Sequence, residues 1–481
     1  MTEAKQPEKD LKALESGSCQ REGKSWPQIL AIVVASIGSL SYGLHYTWSS
    51  PSTSYILQEE EYFHITAEQA SYFTVLPPIA MILSSLVFFK LTDTIGRKKT
   101  MLLIAAPQLI AWIIIIFART VWAFYAARII VGIGDAALYS SIPAYIGEVS
   151  TPKIRGLWGN STAFSMYLGE FLINLIGCFF DVRTSAFICI GLPVLYFILL
   201  TQMPDSPYYL LKVGHADDAK AALKWLRRKE DIETEFHQMK EDVDRQLSET
   251  GTWKDLVAIK SNRSALIAGI FLRFTQQLGG IGVFLAYTQP IFEKAGGNIS
   301  AQVSSTLFLG LLCVLNFIGG IVVEKVGRKT SYFYSALISG IILVTLSIYF
   351  FLDQYQIFDM SLWSWFPLAG MILYVFSHSF GLGVVPTLML GELFSTSIKA
   401  KALCVMILSF GASVFLTNTI FHQLDARVGL YCPFLIFSVN CFCATILTPR
   451  LVPETKGKTL EEIQRNLRDA ADKKSKAGQT H

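Results

Sequence analysis

Of 481 residues, 52% are apolar and only 16% charged, and the mean hydropathy is +0.42, whereas soluble domains carry about a quarter charged side chains. A net charge of +4 is too small to argue for nucleic acid, and the Lys and Arg cluster in loops and tails, where they report topology. The eight cysteines fall mostly in or beside apolar runs without metal-ligand spacing, so neither a disulfide framework nor a metal or other cofactor is expected.

In chain order, residues 1–26 form a polar tail with no periodic apolar face and are read as disordered. No cleavable leader is expected, because the first apolar run starts near Gln28 and is long enough to span. Six runs follow, at about 28–48, 70–91, 100–118, 122–147, 157–178 and 185–203, near the ~20 residues that cross a bilayer. A polar insert, 204–263, holds a stretch (217–247) with apolar residues at helical spacing, which predicts short amphipathic helices under the membrane. Six more runs occupy 264–292, 302–323, 331–352, 363–391, 402–422 and 430–450, before a polar tail, 453–481. The reading is an all-α integral membrane protein with twelve transmembrane helices. It has a bundle over 27–203, a second over 264–452, and the lipid bilayer as its solvent.

Loop charge orients these spans. Segments 50–70 and 353–362 lack Lys and Arg, whereas the alternate loops carry Arg97, Lys98, Lys99, Lys153, Arg155, the basic insert, Lys325, Arg328, Lys329, Lys399 and Lys401. Both tails and the insert are therefore expected in the cytoplasm. Asn298-Ile299-Ser300 falls on an outer loop as a glycosylation site; the sequons at Asn160 and Asn262 fall on the inner side.

The halves echo each other. Asp93-Thr94-Ile95-Gly96-Arg97-Lys98-Lys99 recurs as Glu324-Lys325-Val326-Gly327-Arg328-Lys329. Gly147-Glu148 precedes Arg155 as Gly391-Glu392 precedes Lys399, and Pro204-Asp205-Ser206-Pro207 matches Pro453-Glu454-Thr455-Lys456-Gly457. Repeats in this register describe a duplicated membrane unit.

With these motifs, and with Arg128-Ile129-Ile130-Val131-Gly132-Ile133-Gly134, Pro143-Ala144-Tyr145-Ile146 and Gln276-Gln277-Leu278-Gly279-Gly280-Ile281, the chain resembles a major facilitator superfamily sugar porter over about 28–465. Trp48-Ser49-Ser50-Pro51 is similar to the insect facilitated trehalose transporter branch. The resemblance implies two six-helix bundles of the major facilitator fold, a central sugar pocket and alternating access. It also implies a plasma-membrane location and a monomer or weak oligomer.

The charges at the inner helix ends need partners. Asp93, Glu148, Glu324 and Glu392 can meet Arg97, Arg155, Arg328 and Lys399 across the bundles, which predicts a cytoplasmic gate that latches the inner mouth. Tyr208 stands where the family usually has an arginine, which weakens one arm of that network. For sugar hydroxyls, Gln276 and Gln277 offer donors and acceptors, with Tyr287, Asn316, His378, Thr387 and Glu170 as further substrate-binding candidates. The family's usual hexose contacts are replaced by Ala163, Gly282, Leu312, Thr387 and Ser379, a pattern compatible with a larger or non-hexose substrate. Interior Asp135 is expected to pair with a neighbouring helix, and His45 and His378 to be satisfied interior histidines. The leading reading is facilitated sugar transport, since Leu44-His45-Tyr46 replaces the first-span aspartate of proton-coupled relatives. A proton-coupled carrier using Glu170 or Asp135 and a non-transporting nutrient sensor are the alternatives. No catalytic constellation is visible, so no enzyme is expected.

Overall fold

The computed structural model describes residues 24–248, 251–296, 299–394, 398–458, 462–463 and 465–466. The expectations for the first 23 residues, for Asn298 and for most of the final tail lie outside these. Among the described residues all regular structure is helical, and nine helices are long and apolar enough to cross a membrane. They are Trp26–Gln58, Ala67–Ile95, Arg97–Phe117, Val121–Val149, Val182–Thr201, Ala301–Val326, Arg328–Gln354, Lys399–Arg427 and Tyr431–Leu451.

The other three expected spans are short or broken. The fifth, Ser161–Gly177, has 17 residues. The seventh is three pieces, Lys260–Leu278, Ile281–Ala286 and Thr288–Ala295, and the tenth is two, Phe366–Ser379 and Val385–Glu392. Gly280 makes the first break in the seventh by taking φ +99°, a left-handed value that glycine adopts without strain. A broken helix inside a membrane must find partners for its freed backbone groups. The two broken spans supply each other: Tyr374 Oη donates to Gly279 O (2.9 Å) and Gln276 Nε2 to Gly383 O (3.0 Å).

The first span corrects the expected run 28–48. It bends at Trp48 and continues as Ser49–Gln58, so its serine- and threonine-rich extension is buried helix and not loop. The first and fifth spans cross in backbone contact: a Cβ on Gly43 would strike Met166 O, and one on Gly169 would strike Leu40 O. The apolar core is divided. Second-half spans share one cluster around Phe284, Phe308, Tyr374 and Phe434, and first-half spans build two others around Ile104 and Trp112. Tyr46 and Met166 pack against clusters of both halves, which puts them on the boundary.

The repeated motif is a repeated turn. Gly96 (φ +99°) and Gly327 (φ +111°) reverse the chain between consecutive spans, each opening the next helix at an arginine, Arg97 or Arg328. An acid from the third repeat covers each new N-terminus: Asp205 Oδ1 accepts from Lys98 N (3.4 Å), and Glu454 accepts from Arg328 N and Lys329 N (both 3.1 Å). Burial alone would raise the Glu454 carboxyl, but backbone N–H donors from Lys456, Arg328, Lys329 and Thr455 hold it below its ordinary range.

The insert is helical. Helices Ala216–Arg227 and Glu233–Ser248 pack through Leu223, Ile232, Phe236 and Met239, and Tyr208 joins this cluster. Arg227 fastens the insert to the fourth span by donating to Val149 O (3.0 Å) while pairing with Glu235 (2.8 Å).

Candidate transport pathway

Gate charges gather at one end of the molecule, here the basic end, but they do not pair across the halves. Arg97 grips Glu148 through Nε (3.0 Å) and Nη2 (2.9 Å), and Ser206 Oγ donates to the other carboxylate oxygen. In the second half Arg328 grips Glu392 through Nη2 (2.8 Å) and Nε (3.3 Å), with Thr455 in the place of Ser206. Arg328 meets both carboxylate oxygens of Glu392, whereas Arg97 aims both donors at Glu148 Oε1, and each pair lies within one half. Asp93 takes Arg97 (3.3 Å) and Lys212 (3.2 Å), and Glu324 stands exposed. Arg155 donates to Gly147 O and Lys399 Nζ to Gly391 O (3.2 Å), so the cation seven residues past each acid caps the carbonyl end of the helix that carries that acid. Among the described residues no ion pair crosses the halves in this state, in which the opposite end is clasped; the expected latch belongs to the state with the inner mouth shut. Repeated spacing fixes each cation against its own duplicate unit, where a pair forms without any domain motion. Space beside the rim is open: a Cβ on Gly147 or Gly391 would meet nothing within 4 Å.

The halves meet instead at the acidic end. The break of the seventh span at Tyr287 leaves backbone groups that first-span serines satisfy. Ser49 Oγ donates to Ala286 O (3.1 Å), and Ser50 Oγ accepts from Gln289 N (3.1 Å) while donating to Asn174 Oδ1 (3.2 Å). Ser54 Oγ donates to Glu293 (2.9 Å), the Thr74 and Tyr287 hydroxyls lie 2.6 Å apart, and Asn418 Nδ2 donates to Thr74 O (3.2 Å). Tyr287, expected on the substrate, is thus part of this clasp. Replacing Ser50 by alanine leaves two buried partners unpaired, a cost of about 1–3 kcal/mol. The expected outcome is about a tenfold shift toward the acidic-end-open state, read as labelling of a cysteine placed at Ser54; unchanged labelling rejects the clasp.

Among the interior candidates, Gln276 is engaged by Gly383 O and by Arg273 Nη1 (3.0 Å). Gln277 Oε1, Asn316 Oδ1 and His378 Nε2 are buried without hydrogen-bond partners among the described residues. Asn316 Nδ2 reaches Ser379 Oγ (3.3 Å), and both Asn316 Oδ1 and His378 lie against Gly383. Thr387 is exposed and apart from them. Glu170 is wholly buried with both carboxyl oxygens unpartnered. The expected pairing of Asp135 is not found: its Oδ1 has no partner. His45 stacks on Trp112 (ring centroids 4.0 Å), with the Gln108 backbone as its polar neighbour. The neighbouring cation, Arg128, directs Nε to Phe73 O (2.7 Å) and Nη1 to His45 O (2.6 Å) and acts on Asp135 through its charge without a hydrogen bond.

Sequence reasoning missed two features. One is the serine clasp, whose only signal was an uninterrupted Ser/Thr run after Trp48. The other is Arg273, a lone cation within the apolar run of the seventh span, half-buried, with its guanidinium 5.4 Å from the Phe410 ring.

Two bundles of membrane helices, closed on each other at one end and enclosing broken helices with free polar groups, define a multi-pass carrier of the major facilitator fold. The chain belongs to the "Sugar (and other) transporter" family, whose profile matches residues 31–467. It is 30% identical to the facilitated trehalose transporter Tret1 of Bombyx mori, over 92% of this chain and 87% of that one. To the protein of the same name from Polypedilum vanderplanki it is 31% identical, over 92% and 88%. Among solved structures it resembles the xylose transporter XylE from E. coli in a partially occluded inward-open conformation. The TM-score is 0.75 at 20% identity, covering 90% of this chain and 100% of that one. The proton:xylose symporter XylE bound to 6-bromo-6-deoxy-D-glucose superimposes with a TM-score of 0.74 at 20% identity, over 92% and 99%.

Proposed function

We propose that this protein carries a sugar down its gradient across the plasma membrane, by rocking of the bundles 27–203 and 264–452. The basic end, with both tails and the insert, faces the cytoplasm. The observation that carries this reading is asymmetric closure. Hydrogen bonds join the halves at the acidic end, whereas the strong ion pairs at the basic end stay within each half. Such a molecule exposes its interior to one side, and breaking the clasp exposes it to the other. Names of the relatives, facilitated trehalose transporters, support a sugar such as trehalose or glucose. Gln276, Gln277, Asn316 and His378 line the path in this reading, and the free acceptors on three of them suit sugar hydroxyls.

A second reading, proton-coupled transport, is favoured by the unpartnered interior carboxyls Glu170 and Asp135. Uptake of a radiolabelled sugar panel into proteoliposomes at acidic and neutral pH separates them. The expected result is saturable uptake that a proton gradient does not drive. Gradient-driven accumulation abolished by Glu170→Gln moves the assignment to the second reading, and no uptake of any sugar rejects both.

A further inference from the structure

Arg273 is the interior cation that the foregoing reading leaves without a task. It lies 13 residues into the helix Lys260–Leu278, about 20 Å from that helix's basic end at ~1.5 Å per residue, well inside a hydrocarbon layer of about 30 Å. An uncompensated charge at that depth is costly and marks a functional position by default. Among the described residues no carboxylate lies within ion-pairing distance of it. The guanidinium sits at the boundary between the halves. It covers the ring of Phe410, which touches the Tyr139 ring of the first half (centroids 5.6 Å), and it is within electrostatic reach of the phenols of Tyr139 and Tyr167.

Its donors are unevenly used. Nη1 is committed to Gln276 Oε1 (3.0 Å), whereas Nε is buried without a partner, and the bonds of this guanidinium among the described residues do not involve Nη2. The vacant Nε–Nη2 edge is the two-donor fork that matches the two oxygens of a carboxylate. One guanidinium suits a monoanion better than a phosphate dianion. Arg128, which is buried in the first half, directs Nε and Nη1 to the backbone carbonyls of Phe73 and His45. The carboxyl of Glu170 on the facing half is wholly buried and pairs with no cation among the described residues. Beside the fork are groups that read hydroxyls: the phenols, and the amide of Gln276 that Arg273 itself orients.

We propose that Arg273 is a specificity-determining residue whose free guanidinium edge binds the carboxylate of a polyhydroxylated monoacid, so that the pathway accepts sugar acids. This rests on the transport reading above and narrows its substrate class.

The test uses full-length purified protein with D-glucuronate, D-gluconate and D-glucose as probes, read first as ligand-induced thermal stabilisation and then as proteoliposome uptake. Glucuronate is expected to bind more tightly than glucose. Arg273→Gln should weaken glucuronate by about ten- to hundredfold, the loss of a charge-assisted two-point contact, and weaken glucose distinctly less, since glucose loses only the orientation that Arg273 gives the Gln276 amide. Arg273→Lys keeps the charge but loses the fork, and is expected to fall between; it also serves if the glutamine variant fails to fold. Equal binding of glucuronate and glucose by the wild type, or wild-type glucuronate binding by either variant, overturns the proposal. Arg273-dependent glucuronate binding without uptake of any probe upholds this site and rejects the transport reading. Glucose uptake without glucuronate binding does the reverse.

Discussion

Leucine in place of Gly43 is expected to leave almost no folded, transport-competent protein. Gly43 lies where the first and fifth spans cross, and even a Cβ there would collide with Met166 O and crowd Glu170 N. The obstacle is backbone on both sides, so no rotamer change relieves it, and the helices must separate. Separation strips contacts from Ser36–Ser161 (3.0 Å) at one end of the crossing to Thr47–Glu170 O (3.3 Å) at the other. Overpacking of cores costs about 1–3 kcal/mol, occasionally more; a rigid backbone collision puts this substitution at or above the top of that range. The check is yield and melting temperature of the detergent-purified protein, with Gly156→Leu as control, since a Cβ at Gly156 meets nothing within 4 Å. A Gly43→Leu protein that melts like the wild type shows that the two spans do not cross in this way.

Alanine at Glu148 is expected to lower stability by about 2–3 kcal/mol, somewhat below the 3–5 kcal/mol typical of breaking a fully buried pair. The discount follows from partial exposure, with side-chain values of 12% for Arg97 and 19% for Glu148. The loss strands Arg97 and the Ser206 hydroxyl together. Glu392→Ala should do the same to Arg328 and Thr455 in the other half, and two effects in separate halves should add. A cycle with Arg97→Ala gives the sharper readout. Once Arg97 is gone, Glu148→Ala should cost little more, whereas Arg328→Ala should leave the cost of Glu148→Ala unchanged. Strong coupling of Glu148 to Arg328 would revive a bond across the halves and reject the pairing found here.

These two predictions draw on different levels of legibility. Glu148, Arg97, Glu392 and Arg328 were all singled out from their repeated spacing. Spacing repeated in both halves is equally consistent with pairs inside each half and pairs between them, and only the tertiary arrangement decides between the two. Gly43 was not singled out, because nothing local separates a glycine at a backbone crossing from one facing lipid. The seventh and tenth spans show the same limit. Their glycines were visible as places to bend, but the breaks, and the bonds from Tyr374 and Gln276 that make them tolerable, involve spans about a hundred residues apart. Arg273 was overlooked because its run read as simply apolar, and a single charge changes the average hydropathy of a span very little.

By itself the sequence determined that the chain lies in a membrane, roughly where it crosses, that its halves are duplicates, and that a solvated amphipathic insert joins them. Those properties follow from partition between water and hydrocarbon, which acts on each segment almost independently of the rest. Tertiary structure alone decided which end is clasped, which acid meets which cation, and which polar groups inside are left without a partner. Hydrogen bonds and ion pairs act over about 3–4 Å. Whether two groups from distant spans come that close depends on how the helices tilt, bend and cross, which no local pattern encodes.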